Sequence, residues 1–249
     1  MCNAPGLELP QLRLLEILTF ALDLVDQPGY TPAVSYAVKE LFRTLQGEGA
    51  NTGRVAVFCR FTGCNLWSGR EQDRLKGTGG CSMWCDTDFV GTDGDGGGTF
   101  ATAKELADAA FRTWGHSAEL DCKPLIVCTG GEPLLQLDAE LVAAFHEVGF
   151  EVAIETNGTK PVPTGVDWVC VSPKQGAELV VTSGQELKLV VPQEGFDPKD
   201  FEAMAFEHRF LQPKDGPDAA AALQHALSYC LEHPQWRLGL QSHKFIGIS

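Results

Sequence analysis

The stretch "PLIVCTGGEPLLQLDAELVAAFHEVGFEVAIETNG", from Pro124 to Gly158, decides the fold. Its opening is a continuous apolar run closed by a glycine pair, as a strand buried on both faces reads. Asp138 then stands before "AELVAAFHEV", where a short acidic side chain can accept from the first free N–H groups of a helix. Gly149 supplies the stop. "FEVAIETNG" returns as a second strand ending in a turn signal. The unit is β, α, β with a helical crossover, and such a crossover makes the two strands parallel.

Similar units extend in both directions. Upstream, "RVAVFCRF" (Arg54 to Phe61) is rich in β-formers, and "TAKELADAAFRTW" opens on Thr102 with Glu105 three residues on, a capping-box pattern. Downstream lie "DWVCVSPK", "ELKLVV" and "RFLQP", a helix from about Asp218 to His233, and "WRLGLQSHKF" as the last strand candidate. Only Thr159 to Val166, with two prolines, separate "ETNG" from "DWVCVSP", too few for a helical crossover of a dozen residues or more. The expected fold is therefore α/β, an incomplete TIM-like (β/α) barrel with abbreviated helices in its second half. "GTDGDGGG" (Gly91 to Gly98) reads as a flexible loop.

The 249 residues suffice for one such domain, and 44% apolar content suits a packed core. Residues 1–33 form an extension of unknown role and 34–249 the core domain. In the extension, Leu15, Leu18, Leu22 and Val25 share a helical face, so either an amphipathic docking helix or a poorly packed tail fits. Arg13, Glu16 and Asp23 argue against a membrane span, and no secretory leader is visible. A net charge of −14 disfavours non-specific nucleic-acid binding. Nine cysteines are too few for a disulfide scaffold of this length, and a reducing, cytoplasmic setting is expected.

The polar motifs "CTGGEP", "ETNG", "SPK" and "QPKD" each end a strand, where ligands gather in parallel α/β folds. A polar loop after "RVAVFCRF" holds Cys64, Cys81 and Cys85, with sixteen and three residues between them. Three thiolates leave one coordination position vacant, whereas structural zinc sites are closed by four ligands. A [4Fe–4S] cluster on three cysteines keeps one iron free for another ligand, and thiolates suit iron–sulfur centres. Cys59, Cys122, Cys128, Cys170 and Cys230 sit in apolar segments and read as small buried hydrophobes, and Cys2 as incidental.

"GGEP" after a strand, with the three cysteines, resembles the radical S-adenosylmethionine superfamily. More narrowly, "KELFRTLQGEGANTGRVAVFCRFTGCNLW", "CDTDFVG", "CTGGEP", "AIETNGT", "VSPK", "ELKLVVP" and "HPQWRLGLQSHKF", in that order from about Tyr36 onward, resemble the 7-carboxy-7-deazaguanine synthases of queuosine biosynthesis. That resemblance implies a carbon–nitrogen lyase. A 5′-deoxyadenosyl radical takes hydrogen from C6 of 6-carboxy-5,6,7,8-tetrahydropterin, and ring contraction expels ammonia. It implies Cys64, Cys81 and Cys85 as cluster ligands and Thr87 as a Mg²⁺ ligand. Trp84, Cys85, Asp86, Gly131, Glu132, Ser172, Pro173, Lys174, Gln212, Pro213, Lys214 and Asp215 would border S-adenosylmethionine. Leu45, Gln46, Gly47, Glu48, Arg60, Thr129, His243 and Ser249 would meet the pterin, with Arg60 on its carboxylate. A homodimer and a flavodoxin- or ferredoxin-type electron donor are implied too. The spacing "CSMWC" has one residue more than the superfamily's usual second interval, which the turn must absorb. Two rivals stay open: another radical S-adenosylmethionine enzyme, such as a glycyl-radical activase, and a non-enzymatic zinc module.

Overall fold

The computed structural model describes residues 35–115 and 123–248, and the chain divides after Val34. The extension 1–33 with its candidate helix, Cys2, Cys122 and Ser249 therefore lie outside the described residues. Among the described residues, one nine-stranded sheet runs through the unit. Its strands are β1 (Tyr36–Leu45), β2 (Val55–Phe61), β3 (Gly98–Phe100), β4 (Leu125–Gly130), β5 (Glu151–Thr156), β6 (Trp168–Val171), β7 (Ser183–Val191), β8 (Ala205–Pro213) and β9 (Arg237–Leu238). The helices are α1 (Ala103–Trp114), α2 (Ala139–Glu147), α3 (Ala219–Glu232) and the short α4 (Ser242–Ile246). The spatial order is β3-β1-β2-β4-β5-β6-β7-β8-β9.

From β2 to β9 every neighbouring pair is parallel, as the β, α, β reading requires. The helix starts form as read. Thr102 Oγ1 accepts from Glu105 N at 3.1 Å, and Asp138 Oδ1 accepts from Leu141 N at 2.9 Å. The Glu105 carboxylate reaches Ala101 N rather than the capping residue itself, at 2.8 Å. No helix joins β5 to β6 or β6 to β7, and only a 3-10 turn, Pro198–Phe201, lies between β7 and β8.

Three details differ from the sequence reading. "KELFRTL" belongs to β1, an antiparallel strand beside β2 with β3 antiparallel on its other side. The last strand is two residues long, and Ser242 to Phe245 belong to α4 rather than to that strand. The glycine-rich loop before β3 is fastened to β1: Leu41 N donates to Asp95 O at 2.7 Å and Gly94 N to Lys39 O at 2.9 Å.

The strands present two different faces, because side chains alternate along each one. Val57, Cys59 and Phe61 of β2, Ile126 and Cys128 of β4, and Val152 and Ile154 of β5 pack beneath α1 and α2. Leu187, Leu189 and Val191 of β7 pack with Leu211 of β8 and Ala226 of α3. The intervening residues face the other way and are partly polar: Arg60, Thr129, Glu155, Lys188 and Gln212. Helices cover one face, and the polar residues of the other line a cavity.

Candidate active site

That cavity has a volume of about 850 Å³ and opens where the parallel strands end. It is framed by the loops after β2, β4, β6 and β8, by the turn after β1, and by Gln241, His243 and Lys244 at the start of α4.

The cysteine loop is built by the insert between its first two cysteines. A 3-10 turn, Glu71–Lys76, places Arg74 so that Nη1 donates to Ser82 O at 2.7 Å and to Cys85 O at 3.3 Å. The guanidinium also lies 4.9 Å from the Trp67 ring centroid. Cys81 sits in a second 3-10 turn, Gly80–Met83, and Cys85 N closes back on Cys81 O at 2.7 Å. This i to i+4 bond absorbs the extra residue of "CSMWC". Gly80 N donates to Gln175 O at 2.8 Å, tying the loop to the segment after β6.

Cys64, Cys81 and Cys85 all line the cavity. Burial pushes the Cys81 thiol up to about 11, against the pull of the Lys174 ammonium. Among the described residues, no group of three or more His, Cys, Asp or Glu side chains closes around a single-ion position. A four-iron cluster is itself a body with corners, so its ligands stand apart.

"GGEP" holds the first cysteine by close approach of backbone. Glu132 N donates to Gly63 O at 2.9 Å, and a Cβ on Gly131 would lie 2.1 Å from that same oxygen and 2.8 Å from Cys64 Cβ. The Glu132 side chain is fully buried. It accepts from Thr156 Oγ1 at 2.7 Å, Asn157 N at 2.8 Å and Leu134 N at 3.0 Å, so it fixes the "TNG" turn. Neither Glu132 nor Pro173 lines the cavity, whereas Trp84, Asp86, Thr87, Gly131, Ser172, Lys174, Gln212, Pro213, Lys214 and Asp215 do. Lys174 Nζ donates to Ser172 Oγ at 2.6 Å and lies 6.0 Å from the Trp84 ring centroid. Gln212 Oε1 is buried and has no hydrogen-bond donor.

Leu45, Gly47, Glu48, Arg60, Thr129 and His243 line the same cavity, whereas Gln46 does not. Less of the "LQG" backbone is available than the sequence suggested. Gln46 N and O are engaged by Arg54 and Gly53, and Gly47 O accepts from Ser242 N and Oγ at 2.9 Å each. His243 packs so closely on Gly47 that a Cβ there would sit 2.2 Å from Nδ1. Arg60 Nε donates to Glu40 Oε1 at 2.5 Å.

Sequence reasoning assigned no role to Glu155, Lys188, Gln241 or Lys244. Lys188 is buried and bridges Glu48, at 2.5 Å, and Glu155. Burial pushes the Glu48 carboxyl up, but Lys188, then Gln241 and His243, hold it well below the usual carboxylate range. Lys244 bridges Asp86 at 2.9 Å and Asp215 at 2.5 Å, joining α4 to the cysteine loop and to the loop after β8. The signal for Lys188 was a charge inside the apolar run "ELKLVV".

Comparison with known proteins bears on this arrangement. No protein-family model matches the chain. A 7-carboxy-7-deazaguanine synthase of Bordetella pertussis is 62% identical over 216 residues, spanning 86% of this chain and 100% of that protein. One from Caulobacter vibrioides is 59% identical over 215 residues, with the same coverage. The chain belongs to the 7-carboxy-7-deazaguanine synthase family. The crystal structure of QueE from Escherichia coli superimposes with a TM-score of 0.58 at 27% identity, covering 84% of this chain and 95% of that one. Members of this family at 62% and 59% identity thus match over their full length.

Proposed function

We propose that the chain is a radical S-adenosylmethionine lyase that converts 6-carboxy-5,6,7,8-tetrahydropterin to 7-carboxy-7-deazaguanine with loss of ammonia, in queuosine precursor synthesis. One observation carries this: a single cavity joins three cysteines to a pair of carboxylates bridged by a buried lysine. Family membership supplies the prior for that pairing. An incomplete barrel, concave on the face that helices leave bare, is the architecture in which we read the cavity, with residues 34–249 as the catalytic unit and 1–33 as an appended segment.

The residues present fit the implied groups. Cys64, Cys81 and Cys85 would hold a [4Fe–4S] cluster by soft thiolates. The buried, donorless Gln212 Oε1 offers an acceptor to an amino or hydroxyl group of S-adenosylmethionine, and Lys174 and Ser172 offer polar contacts beside Trp84. The Thr87 hydroxyl suits Mg²⁺, a hard cation that takes oxygen ligands. When bound, the cluster and S-adenosylmethionine supply the radical that removes hydrogen at C6. The chain's own task is positioning. Arg60 faces the carboxylate of the pterin, and Glu48 accepts from the donor edge of its ring.

A homodimer, a flavodoxin- or ferredoxin-type donor and a cytoplasmic setting complete the proposal. No helix among the described residues is long and apolar enough to cross a membrane. Anaerobic reconstitution with iron and sulfide, followed by turnover of 6-carboxytetrahydropterin, tests the function. Formation of 7-carboxy-7-deazaguanine is expected. A colourless protein with one zinc and no iron, or 5′-deoxyadenosine formation indifferent to the pterin, would refute it.

A further inference from the structure

We infer that Lys188 is a positioning residue for the substrate: one buried ammonium that keeps Glu48 and Glu155 together as a charged acceptor pair facing the N–H-rich edge of a pterin. The inference rests on the proposed pterin chemistry and adds a residue to it.

The geometry is specific. Lys188 projects from β7 onto the bare face of the sheet, with its side chain 5% exposed. Its ammonium meets Glu48 Oε2 at 2.5 Å and Glu155 Oε2. The remaining oxygen of each carboxylate is held by an amide: Gln241 Nε2 donates to Glu48 Oε1 at 2.8 Å, and Gln46 Nε2 to Glu155 Oε1 at 2.9 Å. Each carboxylate oxygen has two lone pairs, so both groups keep acceptor capacity toward the cavity they line. The two carboxylates come from distant parts of the chain, the turn after β1 and the end of β5. Lys188 is the cation that touches both.

The surrounding charges define what the pair would bind. Glu186 and Cys170 lie beside Lys188, Lys174 acts on it from the loop after β6, and His243 acts on Glu48 from α4. Glu48, Glu155 and Glu186 around one Lys188 leave acceptors in excess of donors. A ligand presenting adjacent N–H groups, as the aminopyrimidinone edge of a pterin does, complements that excess. A carboxylate or phosphate does not. Without Lys188, two partly buried carboxylates would face each other uncompensated, and a proton shared between them would cost the pair one charged acceptor and turn one oxygen into a donor.

The test uses the reconstituted holoenzyme and Lys188→Met. Pterin affinity is expected to fall about ten- to a hundredfold near neutral pH, the loss of one or two charge-assisted hydrogen bonds. Binding should recover as pH rises and the shared proton leaves, whereas the parent, with both carboxylates paired to Lys188, gains nothing from the same rise. S-adenosylmethionine binding and the cluster's paramagnetic signal should not change, which separates positioning from general damage. If Lys188→Met fails to hold its cluster, Glu155→Gln decides: about a tenfold or greater loss of pterin affinity with S-adenosylmethionine binding intact supports the role. Unchanged pterin affinity in the variant read overturns it, as does a pH-independent loss in Lys188→Met. A parent enzyme that binds S-adenosylmethionine but no pterin overturns the proposed function, and this role with it.

Discussion

Replacing Gly131 by alanine should unseat the iron–sulfur cluster while leaving the sheet folded. A Cβ at this position lies 2.1 Å from the Gly63 carbonyl oxygen, 2.7 Å from its carbon and 2.8 Å from Cys64 Cβ. All of these belong to the loop that carries the first cysteine, and two are backbone atoms with no rotamer to escape into. Cβ contacts do not form below 3.0 Å, so the loop must retreat by nearly an ångström. That retreat stretches the Glu132 N to Gly63 O bond from 2.9 Å, a net loss of about 1 kcal/mol. Overpacking adds about 1–3 kcal/mol, giving about 2–4 kcal/mol together. For a chain of this size such a loss lowers Tm by about 5–15 °C. The larger effect falls on iron content, because Cys64 moves with Gly63. The assay is iron per chain after anaerobic reconstitution, beside Tm of the metal-free protein. Gly98→Ala is the control, since a Cβ there meets nothing closer than 3.9 Å. Native iron content in Gly131→Ala would refute the claim that "GGEP" sets the position of Cys64.

Other outcomes follow from the same contacts. Arg74→Ala removes the donors to Ser82 O and Cys85 O, so iron retention under chelator challenge should fall. Tm of the metal-free protein should shift by no more than about 1–2 kcal/mol would cause, and a large fall in Tm would show Arg74 to be a general stabiliser. Glu48 ionises more readily in the folded chain than its ordinary value of 4.5. Its contribution to stability is therefore present above that value and lost as pH falls toward about 2. Denaturant unfolding at pH 6 and pH 3 should show a smaller loss for Glu48→Gln than for the parent, and equal losses would refute the Lys188 pairing.

The parallel half of the fold was legible because each of its elements carries its own punctuation. β4, α2 and β5 show an apolar run, an aspartate cap and a glycine stop in order, and no distant contact is needed to read them. β1 was not legible as a strand. Lys39, Glu40 and Arg43 interrupt its apolar residues, and its partners are antiparallel β2 and the three-residue β3, which has little signal of its own. Abbreviated connections in the second half followed from chain length alone, since the stretch Thr159 to Val166 is too short to hold a crossover helix and its turns. The cysteine site stood out because three thiols in a polar loop have no packing reason to be there. The Lys188 cluster was hidden for the opposite reason. A charge between Leu187 and Leu189 stands out in the run, but by itself it reads as the solvated side of a strand, and only the cavity on that side of the sheet makes it a site residue. Glu48, Glu155 and Lys188 meet through folding, and no local pattern joins them.

The most direct test of the function is a single turnover with 6-carboxytetrahydropterin deuterated at C6, followed by mass analysis of the 5′-deoxyadenosine formed. Deuterium in that nucleoside, together with 7-carboxy-7-deazaguanine, and neither product from Cys64→Ala, Cys81→Ala or Cys85→Ala, is the expected result. Deuterium-free 5′-deoxyadenosine, or turnover by any one of the three variants, would contradict it.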